Sequence, residues 1–475
     1  MYEAVIGIEM HAELNTKSKI FCSCATQYGA PVNTQCCPVC VGMPGTLPVL
    51  NKKAVDYAML MGLACGCTIN RVTKHDRKNY FYPDLPKAYQ VSQFDIPLCS
   101  DGVLEFYVGD EKKSVRIRRI HIEEDAGKLL HNDRFGGTLV DFNRCGVPLI
   151  EIVSEPDLRN AEDAKAYLEA LVSILRYLGI SNCRMQEGNI RCDVNVSLMP
   201  TGATELGNRV EMKNINTFSG ALRGIEFEIA RQTAVLTSGG TIPQETRRWN
   251  DDIGESVAMR SKENAQDYRY FPDPDLVTIR IDDDWVNLIK AQIPELPLAK
   301  YEKYTATYGL TAYEADMLAG DKEKAEFFEN CAATAPHLAK QICNWILGEF
   351  SKLMNERNCT LAEIGVEAAP LTELITLVND GTLSSTAAKT VFDKLAGGEK
   401  SPMAVVEALG LAQISDKDEL VKIVSAVLSE NEGPVADYMA GKTNVLGFLV
   451  GICMKKSAGK GNPQIFRDML MEKLK

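Results

Sequence analysis

Two pairs of cysteines near the N-terminus restrict this chain more than any other feature. In "CSCATQYGAPVNTQCCPVC", Cys22 and Cys24 are one residue apart, Cys37 and Cys40 are two apart, and twelve residues separate the pairs. Four thiolates in two close clips are what a tetrahedral zinc site needs. Gly29, Pro31 and Pro38 supply the turn chemistry that lets the clips face each other. Four unligated core cysteines are the alternative, but close pairs on a polar, proline-containing loop are poor core formers. All four positions would be protein ligands, so the zinc is expected to be structural. Cys36, a fifth thiol, points away from Cys37 in an extended segment and is left out of the ligand set. Cys65 and Cys67 flank Gly66 at a predicted helix end and read as core.

Composition decides how the remaining cysteines are read. The chain has 475 residues, 45% hydrophobic and 24% charged, the balance of a soluble globular protein of two to four domains. "MYEAVIGIEM" has no basic leader or apolar signal core, and no apolar run reaches the ~18 residues of a membrane span. A cytosolic protein with no membrane role is expected, and in that compartment fifteen cysteines mean metal ligation where clustered, not disulfides. The net charge of -12 excludes a general polycation. Any nucleic-acid footprint must be local. Gly441 to Lys475 is the candidate, with seven Lys/Arg against two Asp/Glu.

Short strand-like runs and turns fill residues 1 to about 290 without a regular βαβα alternation, which predicts an α+β fold with a large mixed sheet. "AEDAKAYLEALVSILRYLGI" interrupts them: Ala164, Tyr167, Leu168, Leu171, Ile174, Leu175 and Leu178 follow the three-four spacing of one buried helix face. Past "QIPELPLAK" nearly everything reads as helix, and a further break falls between Gly397 and Gly410. The division expected is an α+β body at 1–293, a helical domain at 294–404 and a helical tail at 405–475, the tail holding two or three short helices.

Residues two apart share a strand face. In "AVIGIEMHAEL", Ala4, Ile6, Ile8 and Met10 form an apolar side, while Val5, Gly7, Glu9 and His11 form a side that ends in a carboxylate and an imidazole. "IRCDVNVSL" opposes Cys192, Val194 and Val196 to Arg191, Asp193 and Asn195, and "NRVEMKNIN" opposes Val210 and Met212 to Glu211 and Lys213. Glu151 lies in the apolar run "PLIEIVSE", and "HIEEDAGK" offers Glu123, Glu124 and Asp125 after the basic run "RIRRIH". A carboxylate in an apolar strand costs desolvation energy unless paired or metal-bound. Converging acids repel unless a divalent cation lies between them. For a single strand a solvated outer face explains as much, and for His11 a satisfied structural histidine does. Repetition over three strands favours a Mg2+ site suited to phosphoryl transfer. No phosphate loop, dinucleotide fingerprint or Ser-centred elbow is present; "ADYMAGKT" has Ala at the first Gly position.

The runs "VIGIEMHAELNTKSKIFCSC", "CPVCVGMPGTLPVLNKKAV", "DRKNYFYPDLPKAYQVSQFD", "VDFNRCGVPLIEIVSEPDLR", "MQEGNIRCDVNVS", "VEMKNINTF", "QETRRW", "DYRYFPDPDL" and the tail "NVLGFLVGICMKKSAGKGNPQIFRDML" resemble GatB, the B-type subunit family of bacterial tRNA-dependent amidotransferases, in order and over essentially the whole chain. The resemblance implies a ligase of three different subunits that converts Glu-tRNA(Gln) to Gln-tRNA(Gln), and in many organisms Asp-tRNA(Asn) to Asn-tRNA(Asn). A separate amidase subunit would release ammonia from glutamine, and a small third subunit would clasp the other two together. The GatB chain itself would use ATP to phosphorylate the side-chain carboxylate. Carried over by motif, the metal and phosphate site falls on Glu9, His11, Glu124, Glu151, Asp193 and Glu211. Spacing alone does not separate Glu124 from its neighbours. Lys213, on the Glu211 face, is a candidate phosphate contact or a structural ion-pair partner. Cys22, Cys24, Cys37 and Cys40 match family members that keep the zinc ligands, and others lack them, so the metal would be a fold staple.

"RKNYFYPDLPKAYQ" offers Tyr80, Tyr82 and Lys87 as contacts for the tRNA acceptor end, since aromatics stack on unpaired bases and Lys meets phosphate. Core packing is expected for Phe81. Lys455, Lys456 and Lys460 are candidate backbone contacts in the tail, which in the family recognises the outer corner of tRNA. Two other readings stand beside the ATP-dependent enzyme: a non-catalytic tRNA-binding scaffold of the same complex, and a free-standing zinc protein that binds RNA. Neither has a use for buried acids. The chain lacks an amidase Ser-Ser-Lys signature and is not expected to use glutamine alone.

Overall fold

In the computed structural model the strand that opens the chain, Tyr2–Glu13, is the central strand of a nine-stranded sheet. The structure describes residues 1–132, 136–259, 267–413, 417–457 and 460–474. From one edge the sheet runs Glu255–Ala258, Glu245–Asn250, Val210–Ile215, Ile190–Pro200, Tyr2–Glu13, Pro148–Ser154, Glu111–Glu124, Cys99–Val108 and Thr68–Ile69. All pairs are antiparallel except Val210–Ile215 with Glu245–Asn250. The mixed sheet followed by helices is the α+β architecture the sequence predicts. The described residues divide into two compact units, Met1–Lys300 and Tyr301–Lys475.

Period-two patterning gives the sheet two unlike faces. Ala4, Ile6, Ile8 and Met10 of the central strand are buried, as are Cys192, Val194 and Val196 beside them. Helices Lys52–Ala64, Ala161–Leu178 and Phe218–Thr237 cover that apolar side through Ala54, Ala58, Tyr167, Leu168, Leu171 and Ile225. Each fully buried large side chain there contributes about 1.5–3 kcal/mol. The helix Ala161–Leu178 begins where the side chain of Asn160 accepts from the Asp163 backbone amide at 2.7 Å, and ends at Gly179, whose φ of 67° suits the left-handed cap. The opposite side of the sheet is polar. A three-stranded sheet, Phe271–Pro272, Asp76–Asn79 and Tyr89–Ser92, brings Lys78, Gln90 and Ser92 toward it.

The second unit is helical. Its tail has four described helices, Lys417–Glu430, Glu432–Met439, Val445–Lys456 and Pro463–Lys473, where two or three are expected. The apolar pattern carries on from one helix to the next, divided by Asn431, by the Gly441–Thr443 turn and by a break that ends at the Asn462 cap. Leu420, Val424, Leu449, Phe466 and Leu470 form its core. Among the described residues no helix is long and apolar enough to cross a membrane.

Candidate functional site

Strand register brings the polar side chains together. His11 lies opposite Glu151 on one neighbour and Arg191 on the other, Glu9 opposite Asp193, Glu151 opposite His121, and Asn195 opposite Glu211. Two triads result. The ligand-capable atoms of His11, Glu123 and Glu151 lie within 4.8 Å of one another, and so do those of Glu9, Asp193 and Glu211. Both triads line one polar cavity of about 270 Å³.

Each carboxylate is held by its surroundings. Glu123 accepts from Ser92 Oγ at 2.6 Å and Gln90 Nε2 at 3.1 Å, Glu9 from Asn195 Nδ2 at 3.1 Å, and Glu211 from Thr246 Oγ1 at 2.9 Å. His121 Nε2 is 3.2 Å from both Glu123 and Glu151, and His11 Nε2 is 3.6 Å from Glu151. Burial alone would lower His121, but Glu151 and Glu123 outweigh it and raise the imidazole to about 9. Burial works against ionised Glu151 as well, yet His121 and His11 hold it well below the usual carboxylate range. Glu9 behaves in the opposite way: burial first, then Glu151, Glu211 and Asp193, push its carboxyl up. Lys213 stands among the acids of the second triad, 2.5 Å from Asp193 and 2.9 Å from Glu211. A metal ion would answer the crowding that raises Glu9, and hard oxygen donors are the right chemistry for a divalent cation.

Five of the six positions expected for the metal and phosphate site therefore converge, with Lys213 among them. Glu124 does not join them. His121 and Glu123 share one face of Glu111–Glu124, and Glu124 projects from the other, where it pairs with Lys87 and accepts from the Val91 backbone amide at 2.9 Å. Glu123 takes the place beside His11 and Glu151. The two-residue spacing that joins Glu9 to His11 also joins His121 to Glu123 and was the signal available for both. Lys78, which lines the same cavity, had no such signal.

Of the candidate acceptor contacts, Tyr82 is exposed, Tyr80 is half-buried with its ring edge-on to Tyr268, and Lys87 turns inward onto Glu124. Phe81 is 87% exposed, against the core packing expected for it, because it lies in the irregular segment that follows Asp76–Asn79 and not in the strand. In the tail, Lys455 and Lys460 are exposed and Lys456 pairs with Glu430, while Ala458 and Gly459 between them lie outside the described residues.

The cysteine clips close as their spacing predicts. Cys22, Cys24, Cys37 and Cys40 bring their sulfurs within 4.8 Å of one another, with Cys22–Cys40 at 3.4 Å and Cys37–Cys40 at 3.7 Å. Tetrahedral zinc–thiolate bonds would place sulfurs about 3.8 Å apart, so the four can hold a metal. The Cys22 thiol, hydrogen-bonded to Cys40, lowers that thiol to about 4. Cys36 is not in the group and its sulfur lies 3.4 Å from the Asn33 carbonyl. Cys65 and Cys67 are buried core residues.

Comparison with known proteins settles the lineage. The GatB/GatE catalytic domain matches residues 4–287, and the GatB domain matches residues 326–474. The chain is 53% identical over 473 residues to the aspartyl/glutamyl-tRNA(Asn/Gln) amidotransferase B subunit of Thermoanaerobacter pseudethanolicus, covering 100% of this chain and 99% of the relative. The protein of the same description from Geobacter sulfurreducens is 49% identical over 478 residues, with the same coverage. The chain belongs to the GatB family of amidotransferase subunits. Both triads and the cysteine cluster fall within the GatB/GatE catalytic domain, and Lys455, Lys456 and Lys460 fall within the GatB domain.

Proposed function

We propose that this chain is the acceptor-activating subunit of a tRNA-dependent amidotransferase. It binds Glu-tRNA(Gln), Asp-tRNA(Asn) or both, and uses ATP to turn the side-chain carboxylate into an acyl phosphate. It works in the cytoplasm with an amidase subunit, which supplies ammonia, and a small third subunit. The observation that carries this reading is the pair of triads facing each other across one sheet: five carboxylates and an imidazole in a cavity that also holds Lys78 and Lys213.

A carboxylate is a poor electrophile toward ammonia. Attack of its oxygen on the γ-phosphorus breaks the bond to the β-phosphate oxygen and releases ADP. Ammonia then attacks the acyl carbon, the C–O bond to phosphate breaks, and a proton leaves to solvent. Glu9, Asp193 and Glu211 would hold one Mg2+, and His11, Glu123 and Glu151 would hold another. Bound there, Mg2+ supplies positive charge that lets phosphates and a carboxylate approach. Lys213 and Lys78 orient phosphate oxygens, and His121 keeps Glu151 ionised. Tyr80 and Tyr82 meet the acceptor end, Lys455, Lys456 and Lys460 in residues 405–475 meet the tRNA backbone, and Zn2+ on the four cysteines staples the fold.

The test uses the assembled three-subunit enzyme with Glu-tRNA(Gln), ATP and glutamine. Asp193→Asn and Glu211→Gln are expected to abolish Gln-tRNA formation while glutamate release from glutamine and tRNA binding persist. Amidation that survives both changes would make the acids structural and leave the chain a tRNA-binding scaffold.

A further inference from the structure

Exposure divides the fifteen cysteines into two groups. Ten are buried, and the five that reach the surface are Cys22, Cys24, Cys36, Cys37 and Cys359. Four of those five lie in the segment from Cys22 to Cys40. Oxidation of a cysteine follows its thiolate character and its access to the oxidant. Zinc ligation holds a cysteine as thiolate. An oxidant arriving from solvent therefore meets this segment first. The geometry also supplies the second sulfur that a disulfide needs. Cys40 is buried, and its Sγ has two close neighbours, Cys22 Sγ at 3.4 Å and Cys37 Sγ at 3.7 Å. Sulfurs in a disulfide are about 2.05 Å apart, so the nearer pair has little distance to close.

The residues between the clips fasten another part of the chain. Asn33 has a left-handed φ of 58°. Its backbone amide donates to Asp141 Oδ1 at 3.2 Å, its Nδ2 donates to the Val140 carbonyl at 3.0 Å, and its Oδ1 accepts from the Phe142 amide at 2.7 Å. The Gln35 amide donates to Asn143 Oδ1 at 2.8 Å, and Asn143 Nδ2 donates to the Pro31 carbonyl at 2.7 Å. These partners end the hairpin of Lys128–Asn132 and Gly137–Asp141. Arg144 comes next. It donates to the Ala126 and Gly127 carbonyls and lies 3.4 Å from Asp125, just beyond Glu111–Glu124. Residues 26–36 belong to no helix or strand, so the clips at either end keep the fastening in shape.

We propose that the cysteine cluster is an oxidative modification site, at which a hydroperoxide joins Cys22 to Cys40, zinc leaves, and the Asn33 fastening releases the hairpin and slows amidation. The Cys22 thiolate attacks one peroxide oxygen. The O–O bond breaks, giving a sulfenic acid and a hydroxide that takes a proton to become water. The Cys40 thiolate then attacks the Cys22 sulfur. The S–O bond breaks, and the second hydroxide leaves as water with another proton from solvent. Two thiolates give up two electrons and the peroxide takes them. Cys24 and Cys37 remain, and two thiolates are half of the ligand set that structural zinc requires.

The test exposes the assembled, zinc-loaded enzyme to hydrogen peroxide. A chromophoric chelator follows the metal, and alkylation with mass spectrometry follows the thiols. Zinc should leave in step with a Cys22–Cys40 disulfide, while Cys359, outside the group, forms none. The rate of deuterium uptake at residues 128–132 and 137–143 should rise about tenfold or more, as expected when several hydrogen bonds are lost, and that of Ala161–Leu178 should not change. Amidation should fall with zinc release and return on treatment with dithiothreitol and Zn2+. Cys36→Ser keeps all four ligands and should alter none of these results. Three outcomes would overturn the proposal: Cys40 stays open to alkylation while zinc leaves, Cys36→Ser prevents the disulfide, or the disulfide forms with deuterium uptake and amidation unmoved.

Discussion

Lys19 should decide how tightly the cysteine cluster would hold a metal. Its side chain is fully buried, and Nζ lies 3.5 Å from Cys40 Sγ and 3.3 Å from the Phe142 carbonyl. Four thiolates around one Zn2+ carry a net charge of about −2, so the ammonium is a counter-ion in a place water does not reach. At 3.5 Å and an effective dielectric constant of about 20, one thiolate and one ammonium attract by roughly 5 kcal/mol. The dehydration of Lys19 offsets part of that. Lys19→Met removes the partner and leaves the buried negative charge, and such losses cost about 3–5 kcal/mol. Read as metal affinity, this is about a hundred- to several thousandfold. The assay is transfer of zinc from the intact complex to a chromophoric chelator, run beside Lys19→Arg, which keeps the charge and should lie between the two. If Lys19→Met keeps zinc as tightly as the unchanged chain, the ammonium is not a counter-ion and the argument fails.

Three further outcomes follow from single residues. His75 is buried with neither ring nitrogen hydrogen-bonded, and burial, opposed by Asp273 and Asp76, lowers it from 6.5 to about 4. The unfolded chain therefore takes up a proton that the folded chain refuses, so stability is unaffected above pH 6.5 and falls by roughly 3 kcal/mol as pH drops toward 4; in urea melts across that range His75→Phe should flatten this limb. At Gly102 an added Cβ would lie 2.3 Å from Cys67 Sγ and 2.9 Å from the Cys65 carbonyl, so Gly102→Ala should destabilise by about 1–3 kcal/mol in equilibrium unfolding. Asn160→Ala removes the cap of Ala161–Leu178 and should cost about 1 kcal/mol by the same measurement, with activity retained.

Much of the catalytic domain is legible from periodicity. The alternation of Ala4 to His11 states which side of the first strand is buried, and the structure places the helices on that side. The Ala161–Leu178 helix shows its buried stripe in the letters alone, and the structure adds the Asn160 cap and the Gly179 stop. The site is legible to the extent that it follows the same rule. Glu9, His11, Asp193 and Glu211 announce themselves by position, and Glu151 by being a carboxylate in an apolar run. In "HIEED" the ambiguity is a matter of one residue. A strand reverses its face at every step, so moving from Glu124 to Glu123 crosses the sheet, and only cross-strand register with Glu151 fixes which acid faces the cavity. Lys78 and Arg209 could not be read at all, because their places in the site depend on segments far apart in sequence meeting at one cavity.

A β-bulge at Arg118 shows why such a site needs a departure from regular structure. The sheet's polar face holds a cluster of acids and, in the cavity of about 380 Å³ beside it, a cluster of guanidinium groups. Regular alternation on one strand gives a side chain to that face only at every second residue. Glu111–Glu124 contributes Glu123 and His121 by alternation, Arg119 as the next residue on that face, and Arg118 only because the register slips opposite Val153 and Ser154. The strand thus changes from acidic and imidazole groups to guanidinium groups along its length. The adjacent strand Pro148–Ser154 carries Glu151, and Tyr2–Glu13 beyond it carries Glu9, where the two chemistries meet. Deleting Arg118 would restore regular pairing and leave Val115 and Ile117 facing the core as they do now, so it should remove one guanidinium from the 380 Å³ cavity and leave both triads in place.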